Sequence, residues 1–195
     1  MDKKMTSRDK RAVATKKRIL THGIRLINKK GFENVSVDEI AKSAGVSVGT
    51  FYYYYPSKKD LLTGMPWKID TYFEKEVADK LVADTCAENI RLFFYYYAKH
   101  TQENGWAIIK NLFTFDTAFI ISDDRFLQMV LLELLQNGQK TGEVTRKLPA
   151  RQLMRYLLIV AHGVALDWAM TQGGTDIFDE MEQLTGRLFS TFLAG

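Results

Sequence analysis

Along the first thirty residues, apolar side chains recur at Val13, Leu20, Ile24 and Ile27, the spacing of one helical face, and the run stops at Gly31 behind Lys29 and Lys30. Glycine accepts the left-handed backbone that ends a helix, and lysines suit its C-terminal end, so a first helix of about five turns is predicted. A second follows in "SVDEIAKSA", where Ser36 and Glu39 have capping-box spacing and Gly45 closes the segment. Ser47 caps a third, bounded by Pro56 because the residue before a proline is disfavoured in the helical region. Ser57 and Asp60 repeat the capping pattern for a fourth. Further helices are predicted near 60–82, 86–103, 105–119, 124–139, 149–172 and 176–193, with joints such as Thr141-Gly142 and Gly173-Gly174. The expected fold class is all-α, with about nine to ten helices.

The tyrosine run in "SVGTFYYYYPSKKDLL" tests that reading, because aromatic residues favour strands. A capping serine precedes it, a proline follows it, and the chain offers no hairpin turn or second strand to pair with, so helix is the consistent assignment. Advancing 100° per residue puts Val48, Phe51 and Tyr55 on one side and Gly49, Thr50 and Tyr53 opposite, with Tyr52 and Tyr54 at the flanks. Phe51 and Tyr55 read as core, and the outward tyrosines need a surface role. A two-turn helix, a three-residue turn at Gly45, Val46 and Ser47, and a short helix with an exposed polar and aromatic face have the form of a helix-turn-helix.

Charge sharpens the reading. The net charge is +4, but residues up to Leu62 carry 14 Lys and Arg against 6 Asp and Glu (+8), and the remainder carries 13 against 17 (−4). A small basic unit joined to a mildly acidic one fits attraction to a phosphate backbone once the basic unit has a groove-reading shape.

Residues 11 to 62 resemble the DNA-binding domain of TetR-family transcriptional regulators, through Gly31-Phe32, "VSVDEIA", "AGVSVGTFYYYY" and "SKKDLL". The resemblance implies a flexible basic arm at 1–10, a three-helix helix-turn-helix DNA-binding domain at 11–58, and a helical ligand-binding and dimerisation domain at 59–195. It implies DNA contacts at Ser36, Ser47, Gly49, Thr50, Tyr52, Tyr53, Tyr54 and Lys58. Val48 departs from the pattern where many members carry Lys or Arg, and Arg8, Lys10 and Arg11 are candidate substitutes for that contact. Gly45-Val46-Ser47-Val48-Gly49 also matches G-x-S-x-G, but a nucleophile elbow needs a strand before its serine, and a helix stands there. No convergent set of catalytic groups is visible, so the chain does not read as an enzyme.

In the larger segment, "RLFFYYYAKH" and the later aromatic residues read individually as core, yet collectively exceed what such helices usually need. The family resemblance implies a pocket there for a small apolar or aromatic effector. The candidate lining is Phe94, Tyr95, Tyr97, Trp106, Phe113 and Phe126, with Asp116, Glu133 and His162 to orient a polar end. Two late apolar stripes, Leu157, Val160, Val164 and Trp168, then Met181, Leu184 and Leu188, either complete a monomer core or, as the family implies, pair with a second copy in a homodimer. The expected partners are double-stranded operator DNA, a small-molecule effector and a second copy, with neither a cofactor nor a membrane. A ligand-independent DNA-binding or architectural protein, or an activator, is the alternative.

His22, His100 and His162 have no metal-ligand spacing. Cys86, the one cysteine, excludes an internal disulfide and suits a reducing cytoplasm. No signal peptide is visible, and the longest apolar stretch, Tyr156 to Met170, is short of the ~20 residues needed to span a bilayer.

Overall fold

The computed structural model describes residues 6–63, 65–115 and 125–194, all helix and connecting loop apart from an isolated bridge between Val144 and Leu193. The chain divides into two compact units, Met1–Gly64 and Met65–Gly195.

In the first unit, α1 (Ser7–Lys30) begins earlier than its apolar periodicity suggests. Thr6 accepts the Asp9 N–H at 3.2 Å and the Asp9 carboxylate accepts the Thr6 N–H at 2.9 Å, a capping box that satisfies otherwise orphaned donors. Residues 7–10, expected in a flexible arm, are therefore helical. The helix ends at Gly31 (φ 81°), whose N–H bonds the Ile27 carbonyl at 2.8 Å. α2 (Val37–Ser43) carries the expected capping box, with Glu39 N–H on Ser36 Oγ at 3.1 Å and Ser36 N–H on the Glu39 carboxylate at 3.0 Å. α3 (Val48–Tyr54) starts at Ser47, which accepts the Thr50 N–H. α4 (Asp60–Thr63) packs back on α1, where a Cβ on Gly23 would lie only 2.9 Å from Leu61 Cδ1. The short fourth helix thus belongs to the first unit, five residues beyond the expected boundary at 58. Ile19, Ile27, Ile40, Phe51 and Leu61, each fully buried, form the centre of this core.

The second unit opens with α5 (Met65–Tyr72), which widens into a π-helical turn at Phe73–Val77 and tightens into a 3₁₀ turn at Ala78–Lys80. The expected helix over 60–82 is therefore three kinds of helical turn after α4, with Phe73 and Val77 both buried. There follow α6 (Cys86–Asn104), α7 (Trp106–Phe115), α8 (Phe126–Thr141), α9 (Ala150–Met170) and α10 (Ile177–Ser190). Their core includes Phe93, Phe94, Leu131, Leu135, Leu153, Leu157 and Met181. Gly138 lets α8 approach Cys86, since a Cβ there would sit 2.7 Å from Sγ. Burial pushes the Cys86 thiol up to about 11, leaving it protonated and unreactive at neutral pH. α9 is long and apolar enough to cross a membrane by length and composition, but half of that stretch is buried within this unit.

Candidate nucleic-acid interface and effector site

On α3 one face is inside and the other is fully presented. Phe51 is fully buried, with its ring against Tyr52 at 5.6 Å and Tyr55 at 5.9 Å. Tyr55 is buried too, its hydroxyl donating to the Lys16 carbonyl at 3.2 Å, and burial raises that phenol to about 12. On the opposite side Tyr53 is 80% exposed and Tyr52 50%. Tyr54 is half-buried and meets the Tyr53 ring edge-on at 5.0 Å. Ser47 Oγ lies 2.8 Å from Thr50 Oγ1, so a single hydroxyl pair sits at the start of this face. Gly49 is exposed and has no internal reason to be glycine: its φ is not positive, and an added Cβ would meet only Ser47 Oγ at 3.9 Å. The missing side chain clears space outward, where a partner's backbone can approach.

Lys58 is placed differently from the other candidates. Its ammonium donates to the carbonyls of Phe32 and Val35, and it lies 4.3 Å from the centre of the Phe32 ring. The lysine therefore secures the turn between α1 and α2, and replacing it perturbs the fold as well as any phosphate contact. Tyr53→Ala and Gly49→Ala are the cleaner variants. Tyr53→Ala is expected to change stability by no more than about 0.5 kcal/mol. Gly49→Ala should add up to about 1 kcal/mol through helix propensity. Both are expected to weaken operator binding, as read by melting curves alongside mobility-shift titrations. Loss of folding in either variant would mean that the helix faces are assigned wrongly.

In the second unit, the effector candidates separate into an inner and an outer group. Phe94 and Tyr97 are buried, and Trp106, Phe113, Phe126 and His162 are half-buried. The His162 ring lies 6.2 Å from Tyr97 and 5.8 Å from Phe113. Burial, reinforced by the charge of Arg125, holds the His162 imidazole down at about 4, so it is neutral at pH 7. Burial also raises the Tyr97 phenol, keeping it protonated. Among the described residues, neither Tyr97 Oη nor the His162 ring nitrogens have a hydrogen-bond partner, and neither end is sealed by protein.

The outer group does not join them. Tyr95 is half-exposed in a groove of about 710 Å³ between α6 and α10, against Phe178, and Glu133 is exposed. Asp116 lies outside the described residues. The structure instead supplies a charged pair that sequence reading missed. Arg125 Nε donates to Asp70 Oδ2 at 3.0 Å, and Asp70 Oδ1 accepts the Leu127 N–H at 3.2 Å, anchoring α5 to the start of α8. Among the described residues, no cluster of three or more His, Cys, Asp or Glu is arranged to hold a metal.

The two apolar stripes expected at an interface are mostly inside. Leu157, Val164, Trp168 and Met181 are buried in the unit's own core, Val160 and Leu188 are half-buried, and Leu184 is exposed. The face that α9 leaves outward carries Tyr156, Ile159, Leu166 and Met170 at spacings of three, seven and four. Gly163 fills the gap, with nothing within 4 Å of an added Cβ.

A basic helical unit whose third helix presents tyrosines, a threonine and an open glycine defines a helix-turn-helix DNA-binding protein. Residues 19–65 match the family model described as bacterial regulatory proteins, tetR family. The chain belongs to the TetR family of transcriptional regulators. It is 35% identical over 89 residues to the HTH-type transcriptional regulator EthR of Mycolicibacterium smegmatis, a match covering 42% of this chain and 41% of that protein. The chain is thus matched over about two fifths of that relative's length. Its fold is shared with FadR of Bacillus subtilis in complex with stearoyl-CoA (TM-score 0.68, 19% identity, 89% of this chain and 97% of that one). It is likewise shared with FadR of Thermus thermophilus in complex with lauroyl-CoA (TM-score 0.67, 24% identity, 90% and 93%).

Proposed function

We propose that this protein is a cytoplasmic, homodimeric repressor that reads an operator with α3 and is released from it by a small apolar or aromatic effector held in the second unit. The observation that carries the reading is the division of α3 into a buried Phe51 face and an outward face of Gly49, Thr50, Tyr52 and Tyr53. Threonine and tyrosine hydroxyls suit base edges and phosphates, and Ser36 and Ser47 stand at helix starts where N–H groups favour phosphate oxygens. Ser36, Ser47, Gly49, Thr50, Tyr52, Tyr53, Tyr54 and Lys58 remain the proposed contact set, Lys58 by way of the turn it secures.

The dimer reading rests on the outward α9 stripe of Tyr156, Ile159, Leu166 and Met170 together with Leu184 on α10. Half-exposed apolar side chains in register gain by covering one another. A two-fold copy would offer a second α3 to a half-site about 34–36 Å away. The effector reading rests on the unpartnered polar ends of Tyr97 and His162 among aromatic rings. Two proteins of this fold crystallised with acyl-CoA thioesters support a ligand-holding second unit.

The test is binding of the purified protein to DNA flanking its own gene, titrated with salt beside an unrelated duplex. Tight binding that depends on a palindrome is expected. Equal, steeply salt-dependent binding to both duplexes would instead mark backbone attraction alone. A coupling of about 1–3 kcal/mol between effector and operator, roughly 5- to 150-fold, is expected, with operator weakening effector binding by the same factor. Effector affinity that ignores bound operator would sink the release mechanism.

A further inference from the structure

We propose that the effector is an uncharged, mainly aromatic molecule bearing a hydroxyl-type group, seated against Phe113 with its polar end between Tyr97 and His162. The inference rests on the reading of the second unit as an effector site and adds the chemical class of what that site takes.

The charge balance around the site points away from an ion. Asp70 and Arg125 are the charged pair beside it among the described residues, and they answer each other at 3.0 Å with both side chains only 12% exposed. The second Asp70 oxygen is taken by the Leu127 N–H. A carboxylate or ammonium entering this region would add an uncompensated charge to a poorly hydrated environment, or would have to break the pair and strand one of its members. Either route is costly, because an unpaired charge loses its hydration without gaining a counter-ion.

The groups left over are of another kind. At neutral pH the His162 imidazole is uncharged, offering one N–H donor and one lone pair. Tyr97 offers a phenolic hydroxyl, also both donor and acceptor. A ligand hydroxyl has the same dual character and can donate to one while accepting from the other, whichever imidazole tautomer is present. A carboxylate can only accept, and an ammonium can only donate. The neighbouring surfaces are rings: Phe113 meets His162 edge-on at 5.8 Å, and Tyr97 is 6.2 Å from it. Aromatic ligands gain from such edge and tilted contacts beyond simple burial.

The experiment compares three molecules of one shape by calorimetric titration of the full chain at pH 7: p-cresol, 4-methylbenzoate and 4-methylbenzylammonium. The expected result is that p-cresol binds at least tenfold more tightly than either ion, and that Tyr97→Phe and His162→Leu each weaken it at least tenfold. Tyr97→Phe keeps the ring and removes only the hydroxyl, so a folding defect would not obscure the result. Tighter binding of either ion, sensitive to the same two substitutions, would overturn the uncharged class while leaving the effector site in place. Absence of binding by all three, or binding indifferent to both substitutions, would remove the site itself and the class with it.

Discussion

Phe51→Ala is expected to cost about 3–5 kcal/mol, enough to unfold the first unit on its own. The ring is fully buried on the inner side of α3 and meets Tyr52 and Tyr55. Truncation removes its transfer free energy and leaves a cavity that neighbours held by α1 and α2 fill only partly. A core in a unit of 64 residues rarely supplies more than about 3–5 kcal/mol in all, so the loss is comparable to the whole stability. Differential scanning calorimetry should show the transition of the first unit shifted or abolished, and operator binding lost with it. Tyr53→Ala, two residues away on the outward side, is the control. If the two variants melt alike, the separation of α3 into a structural and a reading face is wrong.

That separation was legible in the sequence because α3 is short, capped at Ser47, bounded by Pro56 and buried on one side only. Helical stepping then has a single answer. On α9 the same procedure chose the wrong stripe as the outward one. Leu157, Val164 and Trp168 lie within the monomer core, whereas Tyr156, Ile159, Leu166 and Met170 point away from it. Both stripes are apolar, and a helix apolar on several sides carries no period that says which side its own chain covers. The start of α1 was missed for a different reason. Thr6 and Asp9 have capping spacing, but the basic residues around them suggested a solvated arm, and a local hydrogen-bond pair outweighed that composition. Lys58 looked like a free cation beside a helix start. Its two carbonyl acceptors, Phe32 and Val35, are more than twenty positions back in the chain and become neighbours only in the fold.

The pair of Asp70 and Arg125 was beyond sequence reading altogether, since 55 positions separate residues whose types are individually ordinary. Its removal is the other large effect expected. Asp70→Ala should destabilise the second unit by about 3–5 kcal/mol, because it leaves a nearly buried guanidinium without its carboxylate and the Leu127 N–H without its acceptor. The sign reverses if both charges go together. Asp70→Leu combined with Arg125→Met should be close to neutral or even stabilising, since neither residue then has a charge to desolvate. A double-mutant cycle by urea denaturation measures this directly, with a coupling of several kcal/mol expected between the two positions. A cost below about 1 kcal/mol for Asp70→Ala would mean that water reaches the guanidinium, which would also weaken the charge argument for an uncharged effector. A large single cost with a near-neutral double replacement would instead mark the pair as a device for position. It fixes α5 on the first turn of α8, beside the rings of Tyr97 and His162, at little net gain in stability.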